Sequence, residues 1–199
     1  MITVLETSIF REWLASIKDL ATRLRLARRL EKAQRGSLGD IKQLANFLYE
    51  MREFFGAGWR MHYFHQDPLI IVMLNGGGKK FQAKDIKLAK ALVMELGNSM
   101  KLLRKTKNLK CSEFDIARLL KSKKAMTEYL NQVIADGDDA ELAAALGHIA
   151  RAKGMVEVAQ SSGLSREALY KALKPNTKPR FDTVSKVIQA LGMRITVHA

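Results

Sequence analysis

The chain has 199 residues, of which 47% are hydrophobic and 27% charged, and its formal net charge is +14. The hydrophobic content argues against global disorder, and the length suits one or two small domains. The charge favours a polyanionic partner, either nucleic acid or an anionic membrane surface. The single cysteine, Cys111, excludes an intramolecular disulfide and a cysteine-cluster metal site. No apolar run approaches the roughly 18 residues of a membrane span, and the start of the chain lacks the order of a signal peptide. We therefore expect a cytoplasmic protein with no membrane partner.

Residues 1–97 predict a small α+β domain. A short strand around Val4 comes first, and a helix with Ser8 as its N-cap follows. A second helix ends at Gly36, and its basic side is either a solvated face or a surface for nucleic acid or a protein partner. That side carries Arg23, Arg25, Arg28, Arg29, Lys32 and Arg35.

A β-rich block and a third helix complete this domain. The strands are expected at Phe47–Phe55, at Trp59–Gln66 and from Pro68 to the glycines that end at Gly78, with turns at Gly56–Gly58 and Asp67–Pro68. The unbroken apolar run Leu69–Leu74 is typical of a central strand with two buried faces. The third helix is expected to end at Gly97.

Strand alternation places charged side chains on shared faces. Glu50 and Arg52 lie on one face of their strand, and Arg60 and His62 lie on one face of the next. If the turn at Gly56–Gly58 pairs Arg52 with residue 60 or 62, all four side chains share one surface. RNA cleavage through a 2′-hydroxyl needs a proton acceptor, a proton donor and cations for the developing phosphorane charge. The four residues would supply this set.

Each candidate can be given a role. Arg52 and Arg60 suit the electrostatic role, and His62 or Glu50 would exchange protons. The candidate catalytic residues are Glu50, Arg52, Arg60, His62 and Lys79, and the candidate RNA-binding residues are Tyr63, Lys80 and Lys84. Alternatively, Glu50 and Arg52 belong to a solvated, charged face of the sheet, and His62 has no catalytic role.

Four segments of this half resemble the HigB-type killer proteins of the RelE/ParE toxin superfamily. They are ETSIFREWLASIKD (6–19), GDIKQL (39–44), YEMREFFGAGWRMHYF (49–64) and GGGKKFQAKDI (76–86), and the resemblance covers about residues 1–96. It implies two helices packed on a small antiparallel sheet. It also implies a toxin, most often an endoribonuclease that cuts mRNA at the ribosome, although one branch of the superfamily poisons DNA gyrase. The family usually carries an acidic residue at the place of Gly78, a small hydroxyl residue at Lys80 and an aromatic hydroxyl at His62.

The second half predicts an all-α domain. Residues 98–112 have the polar, basic composition of a linker, and residues 113–199 are mainly helical in pattern. The expected N-caps are Ser122 and either Asp138 or Asp139, and the expected helix ends are Gly137 and Gly154. The last residues alternate like a short strand.

The segment Met155–Leu173 has the pattern of a helix-turn-helix. Ala159 and Gly163 supply the small residue at the helix crossing and the glycine of the turn, and Ser165 is expected to cap the second helix. The expected core positions are Val156, Leu164, Leu169 and Leu173.

The exposed face of the second helix is expected to read DNA in the major groove. Arg166 suits a guanine edge, whereas the lysines suit phosphates. The candidate DNA-binding residues are Ser165, Arg166, Glu167, Tyr170, Lys171, Lys174 and Lys178. The alternative is an ordinary helical hairpin with a solvated basic side.

This half resembles the HigA-type antidote proteins of the Cro/repressor group over about residues 112–197. The strongest parts are FDIARLL (114–120), LAAALGHIARAKGM (142–155) and GLSREALYKAL (163–173). The resemblance implies a homodimer that binds palindromic operator DNA and represses transcription of its own operon. One recognition helix reads only a half-site, which favours the dimer.

The order of the two halves predicts a fused type II toxin–antitoxin module. Its antitoxin half would neutralise an mRNA endoribonuclease, within or between chains, by covering Arg52 and Arg60. Because both halves are basic, the attraction would come from apolar contact or from Asp136, Asp138, Asp139 and Glu141. The alternatives are a transcriptional regulator with an inactive toxin-fold interaction domain, and a gyrase inhibitor. No cofactor or metal is expected, since the sequence has no Walker, nucleophile-elbow or metal-ligand motif.

Overall fold

The computed structural model describes residues 2–100, 111–175 and 177–196, without the side chains of residues 66, 97–100, 139 and 140. The chain divides into two compact units, Met1–Phe114 and Asp115–Ala199. Most of the linker expected at residues 98–112 lies outside the described residues. At its two ends, however, a helix continues through Met100 and a short strand occupies Ser112–Glu113.

The described residues of the first unit form three helices and a six-stranded sheet. The strands are β1 (Thr3–Glu6), β2 (Ile41–Ala45), β3 (Leu48–Arg52), β4 (Trp59–Asp67), β5 (Ile70–Gly78) and β6 (Ser112–Glu113). The helices are α1 (Ser8–Ser16), α2 (Leu20–Gln34) and α3 (Gln82–Met100), and α3 is preceded by a single 3-10 turn at Lys79–Phe81. The prediction that α3 ends at Gly97 is wrong, because the helix continues through Met100.

The strand order in the sheet is β2-β3-β4-β5-β1-β6. Strands β2 to β5 form an antiparallel meander, and β1 lies parallel to β5. The parallel pair arises because α1 and α2 carry the chain away from β1 before the meander begins. The other side of β1 pairs with β6, which is antiparallel to it.

Helices cover both faces of the sheet. One face packs its apolar side chains against α3 in a core formed by Leu48, Phe64, Val72, Leu74, Ala89 and Leu92. The other face packs against α1, and neighbouring glycines of β5 mark the two sides. A Cβ on Gly76 would collide with the Trp13 ring of α1, whereas a Cβ on Gly77 would meet Asp85 of α3 on the opposite face. The central strand β5 is therefore buried on both sides, as its apolar run predicted.

Local capping explains where the first helices begin. The side chain of Thr7 accepts a hydrogen bond from the Phe10 backbone N–H and caps α1, so the cap lies one residue before the predicted Ser8. Asp19 caps α2 in the same way through the Thr22 N–H. Glycine at residue 36 follows α2, as expected.

The second unit is helical throughout its described elements. The helices are α4 (Lys123–Asp136), α5 (Asp139–Lys153), α6 (Met155–Ser162), α7 (Arg166–Ala172) and α8 (Phe181–Ala190), and a 3-10 turn lies at Ile116–Leu119. Ser122 caps α4 and the left-handed Gly137 ends it, as predicted. Residues 193–196 carry no strand, and residues 197–199 lie outside the described residues, so the predicted terminal strand is not found in the described segment.

None of the helices in the described part of the chain combines the length and apolar character that crossing a membrane requires.

The contact between Gly76 and Trp13 gives a test of the packing on β5. Gly76→Ala would push its methyl group into the Trp13 ring, which is held by Phe10 and Trp59, so we expect a loss of about 1–3 kcal/mol in free energy of unfolding. Gly78→Ala, on the same strand, meets ordinary contact distances and should change stability by less than about 0.5 kcal/mol. Urea unfolding of both variants provides the measurement, and equal stability of the two would contradict this packing.

Candidate functional site

The register of the meander brings the predicted charged residues onto one face of the sheet. Arg52 pairs with Arg60 across β3 and β4, and Glu50 pairs with His62. Asn75 of β5 lies opposite His62 on its other side. The turn at residues 56–58 therefore produces the arrangement that strand alternation predicted, and this is the face that packs against α3.

Four polar side chains form a buried group beneath the start of α3. We call Glu50, His62, Asn75 and Gln82 the Glu50 cluster. The Gln82 side chain donates a hydrogen bond to Glu50 Oε2 at 3.1 Å, and His62 Nε2 lies 3.7 Å from the same oxygen. Asn75 donates to the backbone oxygen of Asp85 at 2.9 Å. Glu50 is 1% exposed and His62 is fully buried, so solvent does not reach this pair.

Burial controls the protonation of His62. The pKa of His62 is lowered to about 4, chiefly by desolvation; the Asn75 side chain raises it and the positive charge of Arg60 contributes to the lowering. Neither ring nitrogen has a hydrogen-bond partner among the described residues. His62 is therefore a neutral imidazole at pH 7, so it does not act as a proton-donating imidazolium at that pH.

Both arginines of the candidate site are held by other parts of the protein. Arg52 makes a two-pronged ion pair with Asp40, at 2.6 and 3.0 Å. Arg60 donates to the backbone oxygens of Glu53 and Trp59 and is 7% exposed. Neither arginine is the freely exposed cation that the sequence interpretation assumed.

The candidate lysines lie at the surface, at the start of α3. Lys79, Lys80 and Lys84 are all exposed. The backbone N–H of Lys79 donates to the oxygens of Ala57 and Gly58, which fixes the 3-10 turn against the β3–β4 turn. These lysines are therefore surface cations close in sequence to Gln82 of the Glu50 cluster.

Tyr63 lies apart from the other candidates. It is adjacent to His62 in β4 and so faces the opposite side of the sheet, where it is fully buried and stacks on Tyr49 with ring centroids 5.4 Å apart. Burial raises its pKa to about 12. The prediction that Tyr63 belongs to an RNA-binding surface with the lysines does not agree with this position.

Two exposed aromatic rings near the lysines were absent from the sequence interpretation. Phe54 in the β3–β4 turn is 72% exposed, and its ring centroid lies 5.5 Å from the Arg60 guanidinium. Phe81 in the 3-10 turn is 61% exposed, and Lys80 Nζ lies 5.8 Å from its ring centroid. We call these two rings the aromatic rim. The doublet FF beside a glycine turn, on a strand otherwise rich in charge, is a signal that could have identified Phe54.

The basic side of α2 has mixed surroundings. Arg25 is exposed and its guanidinium lies 4.1 Å from the centre of the Phe55 ring. Arg29 pairs with Glu53 and donates to the backbone oxygen of Asp40, and Arg28 is buried. Part of this side therefore supports the β3–β4 turn and is not an open surface.

The segment predicted to be a helix-turn-helix contains two short helices, α6 and α7, joined by a tight turn. α6 ends at Gly163, which adopts a left-handed conformation with φ 67°, and Leu164 N–H donates to the Ala159 oxygen at 3.2 Å. The Ser165 hydroxyl accepts the Ala168 N–H at 3.1 Å and begins α7. Leu169 is fully buried, which fixes the rotation of α7 about its axis.

All seven candidate DNA-binding residues are exposed. They are Ser165, Arg166, Glu167, Tyr170, Lys171, Lys174 and Lys178. The Arg166 guanidinium lies 5.6 Å from the Tyr170 ring centre, which places both side chains at the same end of the α7 face. The expected core position Val156 is wrong, since it is 53% exposed and α6 buries Val158 and Ala159. Leu164 is half-buried, whereas Leu173 is buried as expected.

Of the acids expected to attract the basic first half, Glu141 is fully buried and so is not part of a surface. Asp136 and Asp138 are exposed, and the side chain of Asp139 lies outside the described residues.

Comparison with known proteins assigns the second half of the chain. A family described as "Probable addiction module antidote protein" matches residues 110–199. Two uncharacterized proteins of Haemophilus influenzae are 36% identical over 96 residues and 41% identical over 86 residues. These matches cover 97% and 89% of the relatives but 48% and 43% of this chain. No solved structure is significantly similar to the chain.

The second half of the chain belongs to the addiction module antidote family. This half implies an antitoxin-like role in an addiction module and contact with a toxin. Each relative is matched almost end to end by about half of this chain.

The buried imidazole predicts a pH dependence of stability. Since the pKa of His62 is about 4 in the folded chain and 6.5 as a model value, the unfolded chain binds the proton more readily between these limits. Stability is therefore retained above pH 6.5 and lost as the pH falls towards 4, by about 2 kcal/mol at pH 5. Urea unfolding of the wild type and of His62→Gln at pH 7.5 and 5.0 provides the measurement. The wild type should lose more stability than His62→Gln between pH 7.5 and 5.0. Equal losses would show that His62 is solvated.

Proposed function

We propose that the chain is a fused toxin–antidote module of the HigB–HigA type. In this proposal the second unit binds operator DNA and represses transcription, and the first unit acts on single-stranded RNA. The observation that carries the proposal is the exposed, cationic face of α7, which follows the tight turn after α6 within the residues that match the antidote family.

The chemistry of the α7 face suits duplex DNA. Arg166 can form two hydrogen bonds to a guanine edge, and Lys171 and Lys174 can neutralise phosphates on either side of the groove. Ser165 lies at the start of the helix, where its backbone and hydroxyl come closest to the DNA backbone. A helix of seven residues reads few base pairs, so binding to a palindromic operator would use two copies of the chain.

Two variants of the α7 face separate base reading from phosphate binding. Arg166→Ala should weaken binding to the operator upstream of its own gene by about 1–3 kcal/mol and relax sequence preference, and Lys171→Ala should weaken binding to all sequences and reduce the salt slope by about 1. Lys124→Ala, an exposed lysine on α4, is the matched control. Fluorescence anisotropy at several salt concentrations measures each effect. If all three variants bind DNA with the same affinity and salt dependence, the α7 face is not the DNA-binding surface.

The features of the first unit that support an RNA substrate lie at the start of α3. Exposed lysines suit phosphates, and the aromatic rim offers rings on which unpaired bases stack. The Glu50–His62 pair beneath them contains an acceptor and an imidazole in one place. These groups favour a ribonuclease over a gyrase inhibitor, because stacking on exposed rings recognises single strands.

The burial of the Glu50–His62 pair favours a second candidate function. A phosphodiester reaches this pair only if Gln82 moves away. Because His62 is neutral at pH 7, no imidazolium is present there to donate a proton. A chain that keeps this conformation would be a DNA-binding regulator whose first unit has no ribonuclease activity. The two candidates differ in what the first unit does when it is expressed by itself.

The fragment to express is residues 1–114, because β6 pairs with β1 and completes the sheet. If the first unit is a ribonuclease, this fragment should arrest growth and fragment mRNA, while the full chain should do neither. Lys79→Ala combined with Lys80→Ala should slow cleavage at least about tenfold by removing cations beside the phosphate. Lys87→Ala combined with Lys90→Ala, also exposed on α3, is the control. A folded fragment that leaves growth and mRNA intact would establish the second candidate.

A further inference from the structure

The boundary between the two units does not coincide with the boundary of the antidote family. The family match begins at residue 110, whereas the first unit extends to Phe114. Residues 112–114 therefore belong to the antidote part by sequence and to the first unit by structure. This overlap identifies the segment that joins the two functions.

The backbone of this segment is integrated into the sheet of the first unit. Ser112 and Glu113 form β6, in register with Glu6 and Leu5 of β1. The N–H of Phe114 donates to the Val4 oxygen at 2.9 Å, and the Gln34 side chain of α2 donates to the Phe114 oxygen at 3.0 Å. Without β6, strand β1 would be the open edge of the sheet.

Side chains fix the same segment. The Phe114 ring is 2% exposed, which is the burial of a core residue. Arg11 donates to the Ser112 hydroxyl at 2.6 Å and to Glu6 Oε1 at 2.9 Å, so one guanidinium joins β6 to a buried carboxylate of β1. A charge-assisted contact and a buried ring together make a specific attachment site.

We propose that residues 112–114 are the anchor by which the antidote holds the toxin unit, through addition of a strand to the β1 edge. This proposal rests on the toxin–antidote division proposed above. The ligand of the β1 edge is an extended peptide with a small hydroxyl residue followed, two positions later, by an aromatic residue. In the strand order, β5 and β1 separate β6 from β4, which carries His62. The anchor therefore attaches the antidote without itself covering the Glu50 cluster.

The test cuts the full chain and asks whether its parts remain together. A protease site inserted between Lys105 and Thr106 leaves β6 on the second fragment after cleavage. We expect the two fragments to elute together at micromolar concentration in size-exclusion chromatography. Phe114→Ala should raise the dissociation constant at least about 30-fold, and Gln34→Leu, on the other side of the contact, should raise it about 5- to 10-fold. Phe181→Ala, which removes a ring that is 73% exposed, is the matched control.

The outcomes are distinct from those of the proposed function. The anchor would be overturned if the fragments separate once the chain is cut. It would also be overturned if Phe114→Ala and Phe181→Ala leave the fragments equally well associated. Because Gln34 lies on the first fragment, its variant tests the contact even if Phe114→Ala perturbs folding of the second. Operator binding by the same cut samples tests the proposed function. Fragments that stay together without binding the operator would overturn the function and leave the anchor in place.

Discussion

The cross-strand pairing of Glu50 with His62 is the constraint on which the candidate site of the first unit depends. It places a carboxylate and an imidazole in the interior of the protein, where an unpaired charge is costly. Two features of the fold accommodate this cost. Gln82 donates a hydrogen bond to the carboxylate, and burial holds the imidazole neutral. The beginning of α3 therefore covers the Glu50–His62 pair as well as packing on the sheet.

The second unit depends on a different kind of constraint, which is backbone conformation. The left-handed turn at Gly163 and the cap at Ser165 fix how α7 leaves α6, and the buried Leu169 fixes its rotation. The side chains of the α7 face contribute little to this geometry because they are exposed. Binding specificity can thus change at these positions at small cost in stability.

The two units differ in how far their sequences predicted them. Capping residues and glycines lie within a few positions of the structures they determine, so the turn between α6 and α7 and the pairing of β3 with β4 could be inferred. Burial could not, since it depends on distant residues. Val156 was expected in the core and is exposed, while Arg60 and Tyr63 were expected at a surface and are buried.

The contacts of the candidate site show the same limit. Asp40 lies outside the strand that it supports, and Gln82 belongs to a helix that comes 32 residues after Glu50. The parallel position of β1 and its pairing with β6 are also contacts between residues far apart in the sequence. Patterns of period 2 or 3.6 carry no information about such contacts.

The presence of β1 and β6 on one polypeptide has a further consequence. Two separate proteins joined at such an edge would part on dilution below their dissociation constant, and their ratio would follow synthesis and degradation of each. In one chain the edge meets its strand at an effective local concentration of about millimolar order, whatever the amount of protein in the cell. The covalent chain fixes the stoichiometry of the two units at one to one.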